Sequence, residues 1–131
     1  METRRVTIPM NGDAIERTPT VLLVTGDADL RAVIARVLTR VGYHVIPAAH
    51  SGHALLAGRT GRIDFLISEL ELDETSGSRL AATLRQHHPG VRAVYLADAG
   101  TPAADGVLVR PFTRDALVLM LDAGALATSA S

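Results

Sequence analysis

The chain of 131 residues contains no cysteine, no tryptophan and no lysine. Without cysteine there are no disulfides, no thiolate metal centres and no cysteine nucleophile. All thirteen basic residues are arginine, so any mechanism that needs a lysine ammonium is excluded. Aromatic residues make up 3% of the chain, namely Tyr43, Tyr95, Phe65 and Phe112, which leaves the core to Leu, Val, Ile and Ala. There is no basic surplus. Fourteen acidic residues give a net charge of −1, which argues against non-specific nucleic-acid binding. No apolar run approaches the roughly 18 residues of a membrane span. The segment METRRVTIPMNGD lacks the apolar centre of a secretion signal, and the expected location is the cytoplasm. The length suits one domain.

What is present is apolar periodicity. Residues 1–19 are polar and irregular, with Asn11-Gly12-Asp13 and Thr18-Pro19, and are read as a flexible leader in which Val6 to Pro9 suits a short strand. Val21 to Val24 is a continuous apolar run of the kind found in buried parallel strands. Leu30, Val33, Ile34, Val37, Leu38 and Val41 follow at i, i+3, i+4, i+7, i+8 and i+11, one stripe of a helix that Asp27 can cap and Gly42 can end. His44 to Ala48 is a second strand, and Pro47 assigns it to a sheet edge. Ser51 to Gly58 suits a short helix, Asp64 to Ser68 a third strand, and Ser76 to His88 another helix. Val91 to Ala97 and Gly106 to Val109 are the fourth and fifth strands. Thr113 can cap a last helix running to about Ala123, before a small-residue tail over 125–131.

Strands alternating with helices predict a doubly wound α/β fold over 20–124, with a parallel sheet of five strands. Sites in such folds lie at the carboxyl ends of the strands. That directs attention to Thr25-Gly26-Asp27, Glu69, Ala97-Asp98 and Arg110-Pro111. Asp98 to Asp105 holds Gly100 and Pro102 and can make one turn at most, so the fourth helix of such a fold is expected to be missing or reduced to a loop.

Four strings in order carry a family resemblance: VLLVTGDADLRAVIARVLTRVGYHV, IDFLISELELDETSG, VRAVYLA, and VLVRPFTRDAL with its turn and last helix. Over about Thr20 to Ala123 the chain resembles a bacterial response-regulator receiver domain, which implies a flavodoxin-like sheet in the order 2-1-3-4-5. The resemblance implies phosphoryl transfer from a kinase histidine to an aspartate, aided by a metal ion, a lysine and a hydroxyl. This chain departs at each of those positions. Thr25 and Gly26 stand at the acidic pair that precedes Asp27, Glu69 at the acceptor aspartate, Ala97 at the hydroxyl and Arg110 at the lysine. Asp73 stands where the loop has proline, with Gly77 at its glycine, and Val107 where a switching aromatic is common. The implication is a degenerate pseudo-receiver that needs no metal or cofactor, is not an enzyme, and works by binding a protein such as a histidine kinase or another signalling protein.

Glu69 has three readings: a structural ion pair with Arg110 or a relic, a permanent mimic of the phosphorylated state, or a working acceptor. Glu71 is expected to face away from Glu69. His50 and His53 have a spacing that can bind zinc but lack a third ligand, and His87-His88 suit a helix end. The last helix is apolar nearly all round. Val118, Leu119, Met120 and Leu121 are consecutive, and with Val107 they form the candidate interaction surface of an expected homodimer. No output domain is expected outside the fold. RRVTIP also faintly resembles the last strand of a histidine-kinase ATP domain, which leaves a hybrid-kinase remnant as an alternative beside a functional phosphoacceptor.

Overall fold

Side chains alternate across a strand, so a run that is apolar at every position must be buried on both faces. The computed structural model describes residues 6–10, 13–102 and 104–130. In it the run at Thr20–Val24 is buried throughout, with Val21 and Leu23 facing one core and Leu22 and Val24 the other. The elements in chain order are β1 (Val6–Met10), β2 (Asp13–Arg17), β3 (Thr20–Val24), α1 (Ala28–Arg40), β4 (His44–Ala48), α2 (Ser51–Thr60), β5 (Phe65–Glu69), α3 (Gly77–Leu84), β6 (Arg92–Ala97), β7 (Val107–Val109) and α4 (Arg114–Ala130). The five strands from β3 onward form a parallel sheet in the order β4-β3-β5-β6-β7. This is the doubly wound arrangement anticipated from the alternation of strands and helices, in the order 2-1-3-4-5 that the resemblance implies.

Local signals account for most element ends. Asp27 Oδ1 accepts from the Leu30 amide at 3.0 Å and starts α1. Thr113 Oγ1 accepts from the Ala116 amide at 3.0 Å and starts α4. Gly42 takes a φ of 101° just past α1, a conformation that glycine adopts without strain. Pro47 sits exposed on the edge strand β4, opposite Leu23, where its missing N–H breaks no ladder. Tyr43 packs edge-on against Phe65 at a centroid distance of 5.9 Å. Its hydroxyl donates to Asp122 Oδ1 at 3.0 Å, tying the α1–β4 turn to α4.

Helices α1 and α4 cover one face of the sheet, with Ile34, Leu38, Leu117 and Leu121 in its core. Helices α2 and α3 cover the other, with Ala54, Leu80, Ala81 and Leu84. Residues 98–106, between β6 and β7, contain no helix among the described residues. No helix among the described residues is long and apolar enough to cross a membrane.

Three elements differ from the sequence reading. The short strand expected at Val6 to Pro9 is present as β1, but the segment otherwise read as a flexible leader adds a second strand, Asp13–Arg17, paired antiparallel with it, and β1 runs alongside α4. The physical signal is Asn-Gly between two runs, Val-Thr-Ile and Ala-Ile, which can pair across a tight turn. Helix α4 continues to Ala130, through most of the segment read as a tail. Helix α3 ends at Leu84, not His88. The amides of His87 and His88 both turn back to the Leu84 carbonyl, at 3.0 and 2.8 Å, as the chain approaches Pro89. Residues 1–5, 11, 12, 103 and 131, with the leader and tail expectations that fall on them, lie outside the described residues.

Candidate functional site

The parallel register brings the ends of β3, β5, β6 and β7 together at one edge. Thr25 follows β3 and is fully buried. Its amide donates to the Ala48 carbonyl at 3.2 Å, and its hydroxyl donates to Glu69 Oε2 at 2.8 Å. The same hydroxyl accepts from the Asp27 amide at 3.2 Å. Asp27 is committed to capping α1, and Gly26 is exposed and offers no carboxylate. Arg31, one turn into α1, donates from NH1 to the Thr25 carbonyl at 2.7 Å and pins the β3–α1 turn. The sequence reading passed over Arg31. Its signal was a long donor placed four residues after the capping Asp27.

Glu69 ends β5, and Arg110 follows β7. The Arg110 amide donates to the Ala97 carbonyl at 2.9 Å, which continues the β6–β7 pairing and aims the side chain back over the sheet edge. The guanidinium NH2 then lies 2.5 Å from Glu69 Oε2, and NH1 lies 3.3 Å from Asp98 Oδ1. One carboxylate oxygen therefore holds two donors, the Thr25 hydroxyl and Arg110. The two main partners are only 28% and 19% exposed, whereas Asp98 is 92% exposed. The Glu69 pair consequently carries most of the interaction, since charges open to water are largely screened. Ala97, buried at the end of β6, presents a methyl group where the resemblance called for a hydroxyl. The Arg110–Pro111 peptide is cis.

The loop after β5 is held at both ends. The Leu70 amide donates to the Leu96 carbonyl at 2.7 Å, and the Gly77 amide to the Leu70 carbonyl at 2.9 Å. A Cβ on Gly77 would stand 2.5 Å from the Glu69 carbonyl oxygen and 2.9 Å from Tyr95, so this close approach admits only glycine. In mid-loop, Glu74 accepts from both the Ser51 hydroxyl and the Ser51 amide, the latter at 3.1 Å, and ties the loop to the start of α2. The Ser51 hydroxyl holds the Glu74 carboxyl below its ordinary range, with the Ser51 amide acting in the same direction.

A pocket of about 150 Å³ lies between this loop and the β3–α1 turn, lined by Thr25, Asp27, Glu69, Glu71 and Asp73 among others. Glu71 thus shares a pocket with Glu69, contrary to the expectation that it faces away. Leu72 and Thr75 close a tight turn through a 2.9 Å backbone bond, which folds the acidic segment back over the sheet edge. The residues do not fit the magnesium ion that the resemblance implies. No three His, Asp or Glu side chains among the described residues gather as a cation would require. Asp27 caps a helix, and Glu69 already faces a guanidinium. The histidines serve the backbone: His50 Nδ1 accepts from the His53 amide at 3.1 Å, and His88 Nε2 lies 2.6 Å from the Gly58 carbonyl.

The candidate interaction surface is smaller than the sequence suggested. Leu121 is fully buried in the α1/α4 core and does not belong to any surface. Val107, Val118 and Met120 are half-buried, and Leu119 alone of the set is open, at 70% exposure. The sheet itself accepts more of α4 than one apolar stripe, because α1, Tyr43 and Phe65 build up the core beside it.

No family model matches the chain. It is 32% identical over 110 residues to the Transcriptional regulatory protein GlrR of Escherichia coli K12, a match covering 77% of this chain and 25% of that protein. It is 27% identical over 113 residues to the Probable transcriptional regulatory protein TcrX of Mycobacterium tuberculosis, covering 79% and 48%. The chain thus spans about a quarter of the length of the first of these relatives. Among solved structures it is similar to chemotaxis response regulator CheY4 of Vibrio cholerae, with a TM-score of 0.73 at 23% identity over 82% of this chain and 99% of that one. It is also similar to the signal receiver domain of an HD domain-containing protein from Pseudomonas fluorescens Pf-5. There the TM-score is 0.76 at 22% identity, over 88% of this chain and 100% of that one. The chain has the fold of response-regulator receiver (CheY-like) domains.

Proposed function

We propose that the chain is a degenerate receiver of a two-component-type system, one that signals by protein contact without phosphoryl transfer and has no catalytic activity of its own. The carrying observation is the closed cluster of Thr25, Glu69 and Arg110, with two donors on one oxygen of the residue at the acceptor position. Phosphoryl transfer needs a nucleophilic oxygen free to attack and a cation to neutralise the transferred oxygens. Here the carboxylate is spent on an ion pair, and the nearest cation is a fixed guanidinium. Ala97 adds no hydroxyl, and Gly26 adds no metal ligand. Glu69 and Arg110 therefore act as a permanent tie across the vacated site, replacing a charge that would otherwise come and go.

The partner is another signalling protein, such as a histidine kinase, or a second copy of the chain, and nucleic acid is not among the partners. The homodimer reading rests on Leu119 together with the half-buried Val107, Val118 and Met120. The curated relatives are named as transcriptional regulatory proteins, which supports a place in signal-dependent regulation.

Incubation with acetyl phosphate and magnesium, followed by intact-mass measurement, tests the proposal. No mass gain is expected. A stoichiometric gain that Glu69→Gln abolishes would establish a working phosphoacceptor instead. In parallel, a magnesium titration should leave the amide resonances of residues 25–27 and 69 unmoved.

A further inference from the structure

A second concavity, in the groove between α1 and the start of α4, shares no lining residue with the acidic pocket. It measures about 330 Å³ and is lined by seven apolar residues and two arginines, with no carboxylate. Ile34 and Leu117 form its buried floor, and Val33, 53% exposed, stands open on its wall. The two charged residues of the lining, Arg110 and Arg114, flank Pro111 and Phe112 in the chain. The chain as a whole carries fourteen acidic residues against thirteen arginines, so a lining with only positive charge differs from the average surface. Arg114 is 69% exposed and lies 3.8 Å from Asp115, which is 94% exposed, a contact too screened to occupy it.

We infer that this groove binds a small carboxylate amphiphile of the medium-chain fatty acid class, its chain along Val33, Ile34 and Leu117 and its head group on Arg114 and Arg110. The volume is at the lower end of small-molecule sites, about 300–1,000 Å³. It has room for a single hydrocarbon chain. An apolar wall with a few convergent polar groups at one end is the usual form of such a site. Guanidinium groups match a carboxylate through paired N–H donors. The position of Arg110 adds a consequence. It lines the groove and also binds Glu69 and Asp98, so a ligand carboxylate competes with those residues for one guanidinium. Occupancy of the groove and closure of the Glu69 cluster are therefore linked, and the linkage is reciprocal.

Decanoate is a suitable probe, followed by backbone amide shifts in the full chain. Saturable shifts below the millimolar range are expected, centred on residues 30–37 and 110–117, with smaller shifts at Glu69 and Asp98, the partners of Arg110. Acetate, the head group alone, and decyltrimethylammonium, the same chain with the opposite charge, should bind at least tenfold more weakly. Arg114→Gln should weaken decanoate several-fold without affecting the cationic amphiphile. Val33→Glu, at an exposed position that leaves the fold intact, should abolish binding, with thermal melting confirming a folded chain. Glu69→Gln releases Arg110 and should tighten decanoate several-fold. Equal binding of both amphiphiles, shifts scattered over the whole surface, or no change in Glu69→Gln would overturn the inference. So would the absence of decanoate binding, including the case in which only a protein occupies the groove.

Discussion

The two faces of the sheet are covered unequally. On the α1/α4 face the core extends from Val21 and Leu23 across Phe65, Ile67, Val94 and Leu96 to Leu108 of β7. On the α2/α3 face the described core ends at Val91, with Ala93 and Tyr95 of β6 packed half-buried against it, and it includes no residue of β7. The cause lies in the connection. Parallel strands are usually joined by a dozen or more residues that include a helix, but only residues 98–106 join β6 to β7. The chain passes from one strand to the next with a turn at Gly106, whose φ is 77° and where a Cβ would stand 3.2 Å from the Ala93 carbonyl oxygen. Loss of a helix has thus thinned one face at one end while the other face stays complete. A fold of this kind tolerates the loss because the remaining helices fill each core independently.

That asymmetry can be broken by truncating one residue on each face. Leu117→Ala, at a fully packed position of α4, should lower stability by about 2–5 kcal/mol in chemical denaturation. Val107→Ala, on the thin side and half-buried, should lower it by no more than about 1 kcal/mol. Similar losses at the two sites would show that residues 98–106 cover β7 as fully as a helix would.

Gly77→Ala tests the point where the thin face meets the site. Its Cβ would press on the Glu69 carbonyl and on Tyr95, at an expected cost of about 1–3 kcal/mol. The amides of Glu69 and Leu70 should shift, while those of α4 should not.

The Glu69–Arg110 tie is next in magnitude. Hydrogen bonds to charged, partly buried groups contribute about 1.5–3 kcal/mol, so Arg110→Met should cost an amount in that range. A double-mutant cycle with Glu69→Gln should give a coupling of at least about 0.5 kcal/mol, and strict additivity would show that the two side chains act separately.

Two smaller effects remain. Glu74 titrates below its ordinary value of 4.5, chiefly because the Ser51 hydroxyl binds its ionised form. A carboxylate depressed in this way stabilises the fold above its unfolded pKa, and that contribution is lost as pH falls through the folded value. Carboxyl-detected titration should find its midpoint below 4.5, and Ser51→Ala should move it back up. Leu119→Arg, at a position 70% exposed, should leave stability within about 0.5 kcal/mol of the parent. Light scattering at micromolar protein should show dimer for the parent and monomer for Leu119→Arg. A parent that is already monomeric would remove this face as a contact between copies.

The identity of the five sheet strands and of the helices between them, and the edge position of Pro47, were legible from local patterns. Continuous apolar runs require burial on both faces, a 3.6-residue stripe requires one covered face, and a residue without an N–H belongs at an edge. The charge types at the strand ends were legible too, which is why Glu69 and Arg110 stood out as opposite charges. The shared use of Glu69 Oε2 by Thr25 and Arg110 was not, nor was the link from Ser51 to Glu74. These partners lie 44, 41 and 23 residues apart in the chain. No local period encodes such distances, and only the parallel register brings the donors within reach of one oxygen.

The same division explains the last helix. Sequence determined that Val118, Leu119, Met120 and Leu121 are all apolar, and its periodicity placed them around a helix. Which of them meets water was decided by tertiary packing. Leu121 falls against the α1 core and Leu119 does not, because burial depends on the neighbours that the sheet and α1 supply, and those neighbours come from distant parts of the chain.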